Sequence, residues 1–264
     1  MRNRAWKHWV IASILAAVLW AAGSSKAEEK AQPRPFNSQV AFEVYAVTGG
    51  GDQLVGSTPS EPPLTIPPCK YWYVVPQRPV DMARVRQEVE AQGIPGLELF
   101  PATDAGLKHL EGLTALQRLN LMDTHVTDAG LEHLKGLTAL QRLDLAYTRV
   151  ADAGLEHLKG LTALQHLGLS HTQVTDAGLE HLKGLTQLQY LALPSKVTDA
   201  GLVHLKGLTA LQGLYLWDTA VTDTGLEHLK GLTALRELDL KGTKVTEAGV
   251  DQLKKSLPNA KVWR

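Results

Sequence analysis

From Leu97 onward, apolar residues recur in two alternating rhythms. Leu119 and Leu121 are spaced by two, with Arg118, Asn120 and Met122 between and beside them, the period of a short half-buried strand. Leu131 and Leu134 follow, three apart, so they share one face of a helical turn. Between the two stand Thr124, Val126 and Asp128. Asp128 is placed to accept the first N–H groups of the helix, and Gly136 to end it in a left-handed conformation. Glu132 and Lys135 are free to pair on its outer side. Strand, turn, helix and turn complete one unit of 24 residues.

The string restarts at Leu113, Leu137, Leu161, Leu185, Leu208 and Leu232. A partial copy precedes them, from Leu97 through Asp104 to Leu110. The fourth copy is one residue short, because Leu193-Pro-Ser-Lys-Val197 lacks the Thr found elsewhere. One unit cannot bury six apolar side chains alone, but stacked copies pair their strands in parallel and continue each leucine row. Asp81 to Gly93 reads as a capped helix, with Met82, Val85 and Val89 on one face, covering the first copy. At the far end, Ser256 to Arg264 is expected to add a last strand, with Trp263 covering the open core.

The pattern Leu-x-x-Leu-x-Leu-x-x-Thr-x-Val-Thr-Asp-Ala-Gly-Leu-x-x-Leu resembles the leucine-rich-repeat family. It is closest to a short bacterial, planctomycete-type form related to the cysteine-containing subtype, with Thr124, Thr148, Thr172, Thr219 and Thr243 where that subtype often has Cys. The resemblance covers residues 97 to about 255. It implies an α/β solenoid, with parallel strands on the concave face and short helices on the convex face. It also implies a binding scaffold for a protein partner rather than an enzyme.

Outside the array the pattern changes. Trp9 to Ala22 is an uncharged apolar run after Arg2, Arg4 and Lys7, too short for the roughly 20 residues of a bilayer span. Ser25-Lys26-Ala27 follows with small residues. Residues 1–27 therefore read as a cleavable signal peptide, with export to the periplasm or the extracellular space; an uncleaved N-terminal anchor is the alternative. Residues 28–79 read as a polar linker (Glu28 to Pro35) and a small β-rich module with strands at Val40 to Val47 and Tyr71 to Val75. The Gly56-Ser-Thr-Pro59 turn is loosely similar to extracytoplasmic β modules of the PEGA type. Residues 80–264 form the solenoid with its caps.

Charge narrows the partners. The chain has 27 basic and 27 acidic residues, but four of the basic ones and none of the acidic ones fall in residues 1–27. A mature chain with an acidic excess gains little from phosphate backbones, which recruit Lys and Arg, so nucleic acid is not expected, nor stable membrane insertion once a signal is cleaved. The single cysteine, Cys69, permits no internal disulfide and reads as a small buried apolar residue.

Chemistry finds little purchase. His109, His133, His157, His181, His204 and His228 recur at one helix position, read as its solvent side. A linear ladder does not converge three or four ligands on one point as zinc requires. Asp104, Asp128, Asp152, Asp176, Asp199 and Asp223 form a second ladder, explained by helix capping without calcium. No nucleophile elbow, phosphate loop or zinc-protease signature occurs. No catalytic residue, metal or cofactor is expected.

What varies is the strand. Its outward positions form three columns: Arg118, Arg142, His166, Tyr190, Gly213, Glu237; then Asn120, Asp144, Gly168, Ala192, Tyr215, Asp239; then Met122, Ala146, Ser170, Pro194, Trp217, Lys241. Tyr190, Tyr215 and Trp217 are expected as exposed aromatics beside a basic end at Arg118 and Arg142, with His166 between. These six residues are the candidate ligand site. A protein partner is the first expectation, since aromatic and Arg side chains dominate interface hot spots. Carbohydrate or cell-envelope polymer is the second, since flat rings also suit sugars.

Overall fold

The computed structural model describes residues 33–48, 51–69, 71–77 and 80–264. The expected signal peptide and the start of the linker lie outside these residues. The described residues fall into two compact units, divided after residue 78.

The first unit is β-rich. Its strands are β1 (Arg34–Phe36), β2 (Phe42–Thr48), β3 (Gly51–Ser57), β4 (Leu64–Ile66) and β5 (Tyr71–Pro76). β2 pairs antiparallel with β3 on one side and β5 on the other, and β1 pairs antiparallel with β4. Phe42, Val44, Ala46, Trp72 and Val74 are buried, and Phe36 meets Trp72 edge to face at 4.9 Å. Two expectations are corrected here. Arg34 and Pro35 belong to a strand rather than a linker, because the Pro-rich stretch supplies β4 as their partner. Cys69 is half-buried rather than buried.

The second unit begins with α1 (Met82–Gln92). Asp81 caps it by accepting the N–H groups of Ala83 and Arg84, and Gly93 ends it at φ 60°. Val85 and Val89 are buried and Met82 is half-buried, the face expected from their spacing. Coils of one pattern follow. Their strands are β6 (Gly96–Glu98), β7 (Arg118–Asn120), β8 (Arg142–Asp144), β9 (His166–Gly168), β10 (Tyr190–Ala192), β11 (Gly213–Tyr215), β12 (Glu237–Asp239) and β13 (Lys261–Trp263). Each pairs in parallel with the next, in unbroken register.

The return path of each coil is one α-helical turn running into one 3₁₀ turn, as Asp128–Leu131 runs into Glu132–Leu134. In the coil after β9 the whole element, Gly178–Leu182, is 3₁₀. The helix after β12, Glu247–Ser256, is longer and closes the array. Leu116, Leu119, Leu121, Val126, Leu131 and Leu134 are all buried, and their equivalents repeat through the stack. Each fully buried leucine contributes on the order of 2 kcal/mol relative to exposure, which one coil alone could not collect.

The turns hold the coils in two ways that the sequence pattern only partly revealed. The repeated threonine donates its hydroxyl to the carbonyl three residues back: Thr124 to Leu121 at 2.6 Å, Thr172 to Leu169 at 2.7 Å, Thr219 to Leu216 at 2.8 Å. This satisfies a carbonyl in the buried turn.

The repeated aspartate works differently from the expectation. The residue before it is the helix cap: Thr127 caps Asp128–Leu131, and Thr222 caps Asp223–Leu226. The aspartate instead bridges to the next coil. Asp152 Oδ1 accepts from Thr175 N at 2.7 Å and its Oδ2 from the Thr175 hydroxyl at 2.7 Å. Asp104 with Thr127, Asp176 with Thr198, Asp199 with Thr222 and Asp223 with Thr246 repeat the pair. Only a glycine fits beside this carboxylate: a Cβ on Gly178 would stand 2.5 Å from Asp152 Oδ1. Thr-Asp-Ala-Gly is therefore a latch, in which Thr caps its own helix, Asp reaches forward and Gly makes room for the Asp behind. Asp128 meets Ala151 and makes only the backbone bond, at 2.7 Å.

Three further expectations are corrected. Gly136 has no left-handed φ, although its counterpart one coil earlier, Gly112, does at 80°; the other left-handed positions of the coils lie after the strands, at Asp123, Tyr147, His171, Asp218 and Gly242. The repeated histidines lie in the 3₁₀ turns and are half-buried rather than on the solvent side. The Nδ1 atoms of His157, His181 and His204 are buried without a hydrogen-bond partner, whereas His133 Nδ1 meets Glu111 at 2.5 Å. Trp263 does not cover the core: Val262 continues the leucine row, and Trp263 pairs in register with Asp239 on the outward side, 39% exposed. The core end is closed by Leu253, Leu257 and Ala260. The Glu132–Lys135, Glu156–Lys159, Glu180–Lys183 and Glu227–Lys230 pairs form as their spacing foretold.

The concave face as candidate binding surface

The first two outward columns read from the sequence are columns of the sheet, and the third lies just past the strand ends. Arg118 stands against Arg142, Tyr190 between His166 and Gly213, and Tyr215 between Ala192 and Asp239. Their exposure is not what the sequence suggested. Tyr190 and Tyr215 are only 3% and 2% exposed, and Arg118 is 5% exposed. Trp217 and Arg142 are half-buried.

The reason is lateral packing along the column. His166 stacks on Tyr190 with ring centroids 4.7 Å apart and planes within 10°. Tyr190 then lies over Gly213, where a Cβ would stand 2.6 Å from its ring carbon. Tyr215 reaches across the same glycine, so that its hydroxyl donates to Glu237 Oε2 at 2.8 Å. Trp217 leans on Tyr215, centroids 5.5 Å apart at 55°. The glycine in the first column is thus the floor on which two tyrosines converge.

The electrostatics follow from this packing. Burial, then the Glu237 carboxylate, pushes the Tyr190 phenol up to about 12. Tyr215 moves up further still, through burial and its bond to Glu237. Asp144 is raised by burial, with Arg118 acting against the shift. Arg118 therefore sits buried beside an opposing carboxylate, and the basic end expected from the first column is partly neutralised. In the second column Asn120, Asp144 and Asp239 accept the N–H two residues on, at 3.0, 2.9 and 3.0 Å. Those side chains are occupied by the turn.

A fourth outward row was missed in the sequence. It is the left-handed residue that precedes the repeated threonine: Asp123, Tyr147, His171, Asp218 and Gly242. Tyr147 and His171 stack at 4.3 Å with planes within 16°. Tyr147 is 40% exposed and His171 is exposed as well. A bulky ring at positive φ is uncommon, and such positions gather at functional surfaces. The signal was available: this position changes from coil to coil as freely as the three columns read. Among the described residues, no three His, Cys, Asp or Glu side chains converge on a possible metal position.

A family model described as leucine rich repeat matches residues 114–174. The stacked strand-and-turn coils, with their leucine rows and parallel register, extend the same unit well beyond that segment. The array is a leucine-rich-repeat solenoid. The chain is similar to two solved structures. Internalin C2 of Listeria monocytogenes is 27% identical, with 69% of this chain and 84% of that one covered and a TM-score of 0.46. A second internalin of Listeria monocytogenes is 20% identical, covers 68% of this chain and 63% of its own, and has a TM-score of 0.42. No curated protein matches the chain. Among the described residues, no helix is long and apolar enough to cross a membrane.

Proposed function

We propose that this chain is an exported, non-enzymatic scaffold that binds a partner protein through the concave face of its repeats. One observation carries the reading. The inner leucines, the latch residues and the helix side repeat almost unchanged, while the four concave rows vary along the stack, Arg118 and Arg142 being a repeat in adjacent coils. Nothing in the packing of the coils requires that change. Tyr147 and His171 are exposed and Trp217 and Arg142 half-buried, beside the exposed charges of Asp123, Asp218 and Lys241. Tyr190, Tyr215 and His166 hold Trp217's surroundings rigid from beneath, and rigid aromatic anchors favour tight binding. Export rests on the charged, apolar and small-residue segments of residues 1–27.

The test is capture from the native envelope and secreted fractions. Wild type is compared with a Tyr147→Ala, His171→Ala, Trp217→Ala variant that keeps the wild-type melting curve. A protein held by the wild type and lost by the variant supports the reading. Equal capture by both overturns it, and capture of a glycan alone replaces it with recognition of an envelope polymer. Sequencing the N-terminus of the exported protein tests the cleavage site after Ala27.

A further inference from the structure

The last rung of the solenoid sheet is paired on one side only. Lys261 N donates to Arg236 O at 2.8 Å, and Trp263 O accepts from Leu240 N at 2.7 Å. The N–H and C=O of one strand residue face the same neighbour, so those of Lys261 and Trp263 are turned to β12. Those of Val262, between them, face the outer edge, and among the described residues no strand lies beyond β13. The side chains alternate as well. Val262 is half-buried at the end of the leucine row, while Lys261 and Trp263 stand exposed on the concave side. An open edge of this kind is a template for one more strand.

The charge of this end selects the strand it fits. Residues 236–264 hold 7 basic and 4 acidic side chains, whereas residues 28–235 hold 16 basic and 23 acidic ones. Three of the four acids at the end are engaged. Glu237 accepts from the Tyr215 hydroxyl, Asp239 meets Lys241 at 3.8 Å and Glu247 meets Arg264 at 3.6 Å. The fourth, Asp251, is exposed on the helix Glu247–Ser256. Lys244, Lys254 and Lys261 are exposed and enter no ion pair among the described residues.

A lysine on a sheet edge discourages pairing with a like-charged strand, and a second copy would bring two basic ends together. The same lysine favours an acidic strand, since opposite charges facing each other across a strand pair are stabilising. Trp263, 39% exposed, supplies the aromatic contact that dominates many interfaces. We propose that the outer edge of β13 takes up an extended acidic segment of a partner protein by strand addition. The segment hydrogen-bonds to Val262, sets a carboxylate opposite Lys261 and continues the row of Val262 with an apolar side chain. This site lies at the end of the array and does not depend on the concave-face reading.

The probes are acetyl-Glu-Val-Glu-Val-Glu-amide, its counterpart with Lys in place of Glu, and the acidic peptide N-methylated at every residue. Binding to the full chain is followed through the Val262 amide and the Trp263 indole resonances. The acidic peptide is expected to bind roughly tenfold tighter than the lysine peptide at low salt, the sum of a few exposed ion pairs. At about ten times its Kd it is expected to slow exchange of the Val262 amide about tenfold. The N-methylated peptide, which has no N–H to donate, is expected not to bind. Lys261→Glu is expected to reverse the preference with an unchanged melting curve. The Tyr147→Ala, His171→Ala, Trp217→Ala variant is expected to keep the whole response, and its loss there overturns the assignment to β13. Equal binding of the acidic and lysine peptides, or binding without slower exchange at Val262, also overturns it. So does protection of Val262 that grows with protein concentration alone, which gives the edge to a second copy. Uptake onto phosphatidylglycerol vesicles with no response to the peptide overturns it in favour of a lipid surface.

Discussion

The latch edge and the concave face are made by the same coils, yet they obey opposite rules. Along the latch edge the same three residues recur, with Ala151 the one replacement of a Thr between Asp128 and the next coil, because each Asp meets the residue before the next Asp and each Gly must clear the Asp behind it. Along the concave face each side chain meets whatever its neighbours present. His166 finds Tyr190, Tyr190 finds Gly213, Tyr215 finds Glu237. Repetition in the first region is geometric necessity; variety in the second is freedom that binding can use. Only the two regions together explain how one short unit gives both a regular rod and an individual surface.

The sharpest way to break the comparison is Gly178→Ala. The added methyl collides with the Asp152 carboxylate and its backbone, so a loss of about 2 to 3 kcal/mol is expected in urea unfolding. A neutral result would mean that the latch is not rigid. Removing the carboxylate itself, Asp152→Ala, breaks both bonds to Thr175 and is expected to cost about 2 kcal/mol.

Ala151→Thr works in the other direction. It would cap the helix Asp152–Leu155, which has no side-chain cap, and give Asp128 Oδ2 the hydroxyl it meets elsewhere. A gain of about 1 kcal/mol is expected. On the concave face, Tyr147→Ala is expected to change stability by less than about 0.5 kcal/mol while weakening partner capture. A large loss of stability there would erase the distinction between the two regions.

Titration sharpens the contrast most gently. Asp223 is held below the ordinary carboxylate range by its two bonds to Thr246, the hydroxyl bond first. A lowered carboxyl stabilises the fold above its ordinary value, and that contribution disappears as pH falls through the lowered one. Acid unfolding below about pH 4 should therefore be shallower in Asp223→Asn. Tyr190 behaves in the opposite sense. Its folded value of about 12 lies above the ordinary value of 10, so its contribution is complete below pH 10 and is lost between 10 and 12. Tyr190→Phe is expected to flatten alkaline unfolding in that window. An unchanged alkaline limb would show that Tyr190 is not buried in solution.

Much of this was legible in the residues. The spacing of Leu119, Leu121, Leu131 and Leu134 determined strand, helix and stacking, because a six-leucine coil has no stable alternative to burial against its copies. The restarts fixed the register, and with it the outward columns. The variable columns also marked the surface to examine. The cap of α1 and the Glu–Lys pairs were equally plain, since both depend on local spacing alone.

What escaped was whatever depends on the neighbouring coil. Asp128 looks like a helix cap from its own sequence; only the next coil shows it to be a bridge, because the partner atoms are 23 residues away. Tyr190 and Tyr215 look exposed, since they alternate with the inward leucines of their strands. They are buried because Gly213, on an adjacent strand, lets two rings converge. The Tyr147–His171 stack went unread because its residues lie in turns, where a left-handed backbone turns the rings toward each other. The sequence by itself determined the repeat, its period and its parallel stacking, all set by local pattern and burial. The tertiary structure decided which side chains are covered, because coverage comes from the coil before and the coil after.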